Sequence, residues 1–272
     1  MKVILFIDKE NFESSLKLIN RGLEKGKKRF WLIEKYTDYL IKQLPPYLKT
    51  KDETFELIKI FIYTGKYTSE ILYKCRRWAG YEIERLDELI KNEKKLLEDV
   101  SKNNLNDEIK NKINNHVKGI KSIFEQKKED ITKYVEKHYR QSLGQKDFFK
   151  NMDRLPLIEL KTTKLRQGDG KIYQKGVDVN LATDLVHLAH NQAYDVALIL
   201  GGDSDLKEAV KLVNETLGKL VVVASFYDKN DPLNSNTCPE LIKVATQFMN
   251  LRDFLEKDIL AMSNLMRIKT TE

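Results

Sequence analysis

The chain has 272 residues, 48 Lys and Arg against 41 Asp and Glu, and a formal net charge of +7. Its 41% hydrophobic content is too high for a disordered chain, and two cysteines leave no disulfide framework. No apolar run approaches the roughly 20 residues that span a bilayer, and so mild a positive charge permits nucleic-acid binding without requiring it.

The start runs from Met1 straight into Asp8 with no basic region followed by a long apolar stretch, so no signal peptide is read. Isolated cysteines fit a reducing compartment. The expectation is a cytoplasmic protein with no membrane segment. Its length suits one large domain or one domain with a sizeable insertion.

In chain order, an apolar β-branched run at 2–7 reads as the first strand. Residues 30–48 follow with helical spacing, which Pro45 and Pro46 should end or kink. A second strand is expected at 57–63. Residues 77–149 then change character. They are rich in Lys, Glu, Asn, Asp and Gln, contain no proline, and carry two narrow apolar stripes separated by an Asn-rich turn at 101–106. This segment reads as an inserted helical hairpin, partly coiled-coil-like, whose stripes could take a second copy or another protein. Strands are expected next at 154–160, 196–200 and 220–224, and helices at 178–191, 205–217, 241–249 and 251–266. The first, fourth and fifth strands are almost continuously apolar, as strands buried on both faces are. The predicted architecture is α/β: a mostly parallel five-stranded sheet flanked by helices, with residues 1–76 and 150–272 as the body and 77–149 as the arm.

Sites in such sheets lie beyond the carboxyl ends of the strands. Asp8-Lys9-Glu10-Asn11 follows the first strand, and Gly201-Gly202-Asp203-Ser204-Asp205 follows the fourth. Asp178 opens the helix before that fourth strand. Each acid alone could be a helix cap. Gathered in one cleft, carboxylates repel unless a cation or shared protons offset them. Such hard oxygen donors suit Mg²⁺ or Mn²⁺.

The segments Phe6-Ile7-Asp8-Lys9-Glu10-Asn11, Lys175-Gly176-Val177-Asp178 and Gly201-Gly202-Asp203-Ser204-Asp205 resemble those of the NYN family, LabA-like members included, within the PIN-like nuclease superfamily. Lys9 and Gly201 depart from the family pattern, and neither removes a carboxylate. The resemblance implies a PIN-like (Rossmann-like) fold and a metal-dependent ribonuclease. In it, Asp8, Asp178, Asp203 and Asp205 form the catalytic and metal-binding set, with Asn11 supporting the first acid. Ser204 lies within the same segment. Ser204 and Asp184 are expected to support the acids, although Asp184, six residues past Asp178, falls off the same helix face and could instead be bonded within the fold.

A basic surround would let such acids meet an anionic polymer. Lys161, Lys164, Arg166, Lys171 and Lys175, with Tyr173 among them, form a loop before Asp178 in this reading; Lys74, Arg76 and Arg77 follow the second strand. RNA is the expected substrate, with DNA as the second candidate. A further basic run comprises Lys25, Lys27, Lys28 and Arg29. His187 and His190 lack a third metal ligand. Two other readings compete. One is a non-catalytic RNA-binding or assembly module on the same fold. The other is a HAD-like phosphatase, which needs Asp-x-Asp where this chain has Asp8-Lys9-Glu10.

Overall fold

The run Val3–Ile7 has no polar side chain, and in the computed structural model it lies inside a sheet. The structure describes residues 1–20, 33–50, 53–102, 106–228, 230 and 237–253. The first strand, β1 (Lys2–Asp8), leads into α1 (Lys9–Asn20), α2 (Ile33–Leu48) and β2 (Glu56–Lys66). Two long helices follow, α3 (Ser69–Ser101) and α4 (Asp107–Met152), and then β3 (Ile158–Lys164), β4 (Arg166–Gly168) and β5 (Lys171–Tyr173). After α5 (Val177–His190) and β6 (Val196–Leu200) come a 3-10 turn (Ser204–Leu206), α6 (Lys207–Lys211), a π turn (Leu212–Thr216), β7 (Leu220–Ser225), α7 (Pro239–Val244) and β8 (Gln247–Asn250).

The sheet has six strands in the order β3-β2-β1-β6-β7-β8, and the pairs β1–β2, β1–β6, β6–β7 and β7–β8 are parallel. Every residue of β6 is fully buried. One sheet face packs Phe6, Tyr63, Val221 and Val223 against Val177, Leu181 and Leu185 of α5 and Val210 of α6. Leu5 and Ile7, alternating with these along β1, are also fully buried, so both faces are covered. Phe12 and Leu16 of α1 and Leu40 and Leu44 of α2 are buried too.

Three differences from the sequence reading have local causes. The sixth strand, β8, occupies residues read as a helix at 241–249. That helix stops at Val244 because Ala245 turns extended, and the Thr246 hydroxyl and backbone N–H both bond to Val221. The third strand begins at Ile158 rather than 154, because Arg154, Leu155 and Ile158 close successive turns after α4 around Pro156. The expected basic loop is instead mostly strand: Lys161 and Lys164 lie on β3, Arg166 on β4 and Lys171 on β5. Pro45 and Pro46 sit inside α2. The run 25–29, the helix start at 30–32, residues 103–105 of the expected turn and the helix beyond Asp253 lie outside the described residues.

By contacts the chain divides into two compact units. The first comprises Met1–Gly65, Lys150–Thr163 and Lys175–Glu272; the second comprises Lys66–Phe149 and Lys164–Gln174. In the second, Ala79 and Leu86 of α3 meet Ile131 of α4, with Trp78, Phe124 and Val135 packed around them. The β4–β5 hairpin turns at Asp169 and Gly170, both at positive φ, and rests on Trp78. Ile172 donates its N–H to the Tyr134 hydroxyl at 2.6 Å. No helix among the described residues is long and apolar enough to cross a membrane.

Candidate metal centre

From β1 the chain leads outward to β2 and β3; β6, β7 and β8 extend from its other side. The reversal falls between β1 and β6, where ligand sites of open parallel sheets form. Asp8 ends β1, and Asp203 follows the Gly201–Gly202 exit from β6. Asp178 comes from the first turn of α5, which packs on the same sheet.

These three side chains converge: Asp8, Asp178 and Asp203 each offer a carboxylate oxygen within 4.8 Å of the others. At that spacing and an effective dielectric of about 20, each ionised pair repels by roughly 3 kcal/mol. Asp8 is 3% exposed. Burial, followed by the charges of Asp178, Asp203 and Glu10, pushes its carboxyl up to about 6 despite a backbone hydrogen bond from Asn11. Burial and then Asp203 also raise Asp178 above the ordinary carboxylate value. A divalent cation would remove that repulsion, and three hard oxygen donors fit one.

The loops are held with few degrees of freedom. Asn11 donates its backbone N–H to Asp8 Oδ1 at 3.1 Å, so Asp8 also caps α1. Capping uses one carboxylate oxygen and leaves the other. The Asn11 side-chain oxygen accepts from the Gly202 N–H at 3.1 Å. The Gly202 carbonyl in turn accepts from the Cys238 N–H at 2.8 Å, and the Gly201 N–H reaches the Ala224 carbonyl at 3.3 Å. A Cβ at Gly201 would come within 3.2 Å of Asp8 Cβ, so glycine gives the two strand ends room to approach. Asp203 accepts from the Asp205 N–H at 3.1 Å and from the Ser204 hydroxyl at 3.4 Å, fixing its own turn.

Asp205 lies on that turn but is not one of the converging trio. Asp184 is held elsewhere: it accepts from the Tyr63 hydroxyl at 2.9 Å and pairs with Lys161 at 3.5 Å. Burial, reinforced by Asp184, raises the Tyr63 phenol, which therefore stays a donor. Lys175 is exposed just before Gly176 and α5. Lys164, Arg166, Lys171, Arg76 and Arg77 are exposed residues of the second unit. Sequence reading missed the Cys238 contact and the buried Ser225–Thr237 hydroxyl pair at 2.7 Å. Pro239, at the first position of α7, was the available signal for a helix start there.

A parallel α/β sheet with carboxylates gathered at its reversal point is the arrangement of a PIN-like nuclease. Residues 99–252 match the model of the NYN domain, a PIN-like nuclease family, and the chain belongs to that family. Its class implies a nucleic-acid substrate. No curated protein matches. A solved structure, the crystal structure of a protein of unknown function, VPA0982 from Vibrio parahaemolyticus RIMD 2210633, is 12% identical and covers 92% of each chain at a TM-score of 0.43.

Proposed function

We propose that this protein is a metal-dependent ribonuclease that hydrolyses RNA phosphodiester bonds. The observation that carries the reading is the Asp8–Asp178–Asp203 trio, with its ligand atoms within 4.8 Å, in a chain of the NYN family. These three residues would hold Mg²⁺ or Mn²⁺, with Asp205 the fourth acid on the adjoining turn. When bound, such an ion polarises a phosphoryl oxygen and lowers the pKa of an attacking water.

The chain's own residues position that chemistry. Asn11 fixes Asp8 and the Gly202 peptide together. Ser204 and the Asp205 N–H orient Asp203. Asp184, through Tyr63, ties α5 to the sheet and so steadies the helix that carries Asp178. Lys175 supplies a cation for a substrate phosphate. In this reading residues 1–76 and 150–272 are the nuclease body and 77–149 its arm, which offers a surface to a second copy or another protein. Free Cys75 and Cys238 are compatible with work in a reducing cytoplasm.

The test is incubation with end-labelled single-stranded RNA and Mg²⁺ or Mn²⁺, beside Asp203→Asn and an EDTA control. Cleavage should fall at least about 100-fold in the variant, as expected when a ligand of a catalytic ion is lost. Binding with no cleavage of any RNA or DNA would reject the enzyme. Undiminished cleavage by Asp203→Asn would reject the site. Hydrolysis of small phosphate esters through a trapped aspartyl-phosphate would point to a phosphatase instead.

A further inference from the structure

Four tyrosines of the second unit are exposed, two of them on one stripe of α3. Tyr73 and Tyr81 of α3 are 64% and 58% exposed, Tyr139 of α4 43% and Tyr173 of β5 44%. Arginine accompanies them. Arg77 lies between Tyr73 and Tyr81 on one helical stripe, donates to the Tyr81 hydroxyl at 3.1 Å and places its guanidinium 5.5 Å from that ring's centre. Arg76 sits 5.1 Å over the Tyr139 ring. Arg166 stands directly opposite Tyr173 across the hairpin.

The same segments, 69–81 and 164–174, carry six bases (Lys74, Arg76, Arg77, Lys164, Arg166, Lys171) against two acids, Glu70 and Asp169. The ground beneath them is fixed. The Tyr67 hydroxyl bonds His138 at 2.6 Å and Gln141 at 2.9 Å, and the Tyr134 hydroxyl receives the hairpin's Ile172 N–H. A preformed surface loses little ordering entropy on binding.

Cations alone would serve any polyanion. Exposed aromatic faces paired with guanidinium planes serve unpaired bases, which stack on both. A duplex hides its base faces, and an acidic protein would leave the rings unused. We propose that the exposed Tyr73–Arg77–Tyr81 stripe of α3 is a docking surface for single-stranded RNA, bases stacking on Tyr73 and Tyr81 and a phosphate meeting Arg77. The choice of RNA rests on the ribonuclease reading; the surface itself needs no metal.

The experiment uses the full chain in EDTA and a fluorescein-labelled 12-nucleotide RNA, followed by anisotropy. Replacing both Tyr73→Ala and Tyr81→Ala should weaken binding by about 10-fold or more, while the Tyr73→Phe, Tyr81→Phe pair, which keeps the rings, stays close to wild type. Replacing Arg77→Ala should reduce the salt slope of log K by about 0.7. A duplex of equal length should bind more weakly and ignore the tyrosine changes. Unchanged affinity in the double alanine variant, or equal affinity for duplex, overturns the proposal. Tyrosine-dependent binding with no cleavage of any RNA or DNA on adding Mg²⁺ or Mn²⁺ would uphold this surface and reject the nuclease. Cleavage with tyrosine-independent binding would do the reverse.

Discussion

Asp8 carries two duties on one carboxylate, capping α1 and joining the acidic trio. Its carboxyl, raised to about 6, binds a proton more tightly folded than unfolded. In the metal-free protein its contribution to stability is therefore greatest below about pH 4 and is lost as pH rises through 6. The full loss is roughly 3 kcal/mol. Asp8→Asn keeps a cap oxygen and removes the charge. In EDTA at pH 8 this variant should melt at a higher temperature than wild type, with the gap closing toward pH 4. A wild-type melting temperature flat between pH 4 and 8, matched by the variant, would reject the buried repulsion. The three acids stood out in the sequence because each follows a strand or opens a helix. Their relative reach did not, since periodicity says nothing about which of two nearby carboxylates, Asp203 or Asp205, turns inward.

Among the elements, β1, β6 and β7 were legible because continuous burial demands continuous apolar sequence. The four-residue β8 was not: it is too short for a period, and its partner β7 settles its conformation. The β4–β5 hairpin was missed although Asp169-Gly170 is a strong two-residue turn signal. That turn also fixes a prediction. A Cβ at Gly170 would fall 2.3 Å from Trp78 Cζ2, at a φ of +73° that side chains resist. Gly170→Ala should cost on the order of 2–4 kcal/mol in urea unfolding followed by tryptophan fluorescence. Gly119→Ala, inside α4 with nothing within 4 Å, should instead stabilise by about 0.5–1 kcal/mol. Equal effects at the two sites would contradict the described packing.

For the whole molecule, the net charge of +7 conceals an uneven distribution, with carboxylates collected at the sheet's reversal point and bases around the hairpin. A cation that binds only the folded trio stabilises the chain by mass action. Mn²⁺ at about 100 times its dissociation constant should add roughly 2.7 kcal/mol and raise the melting temperature by about 5–10 °C in a chain of this size. Asp203→Asn should show little of that rise in a dye-monitored melt. An identical rise in the variant would assign the effect to scattered surface carboxylates.

The Gly202 peptide is gripped at both poles, its N–H by Asn11 and its carbonyl by Cys238. The stretch from Leu200 to Asp203 therefore works as a ruler of fixed length between two distant parts of the chain. One residue inserted there would break at least one grip and carry Asp203 away from Asp8. Relatives of this protein should accordingly keep the count between strand end and acid unchanged.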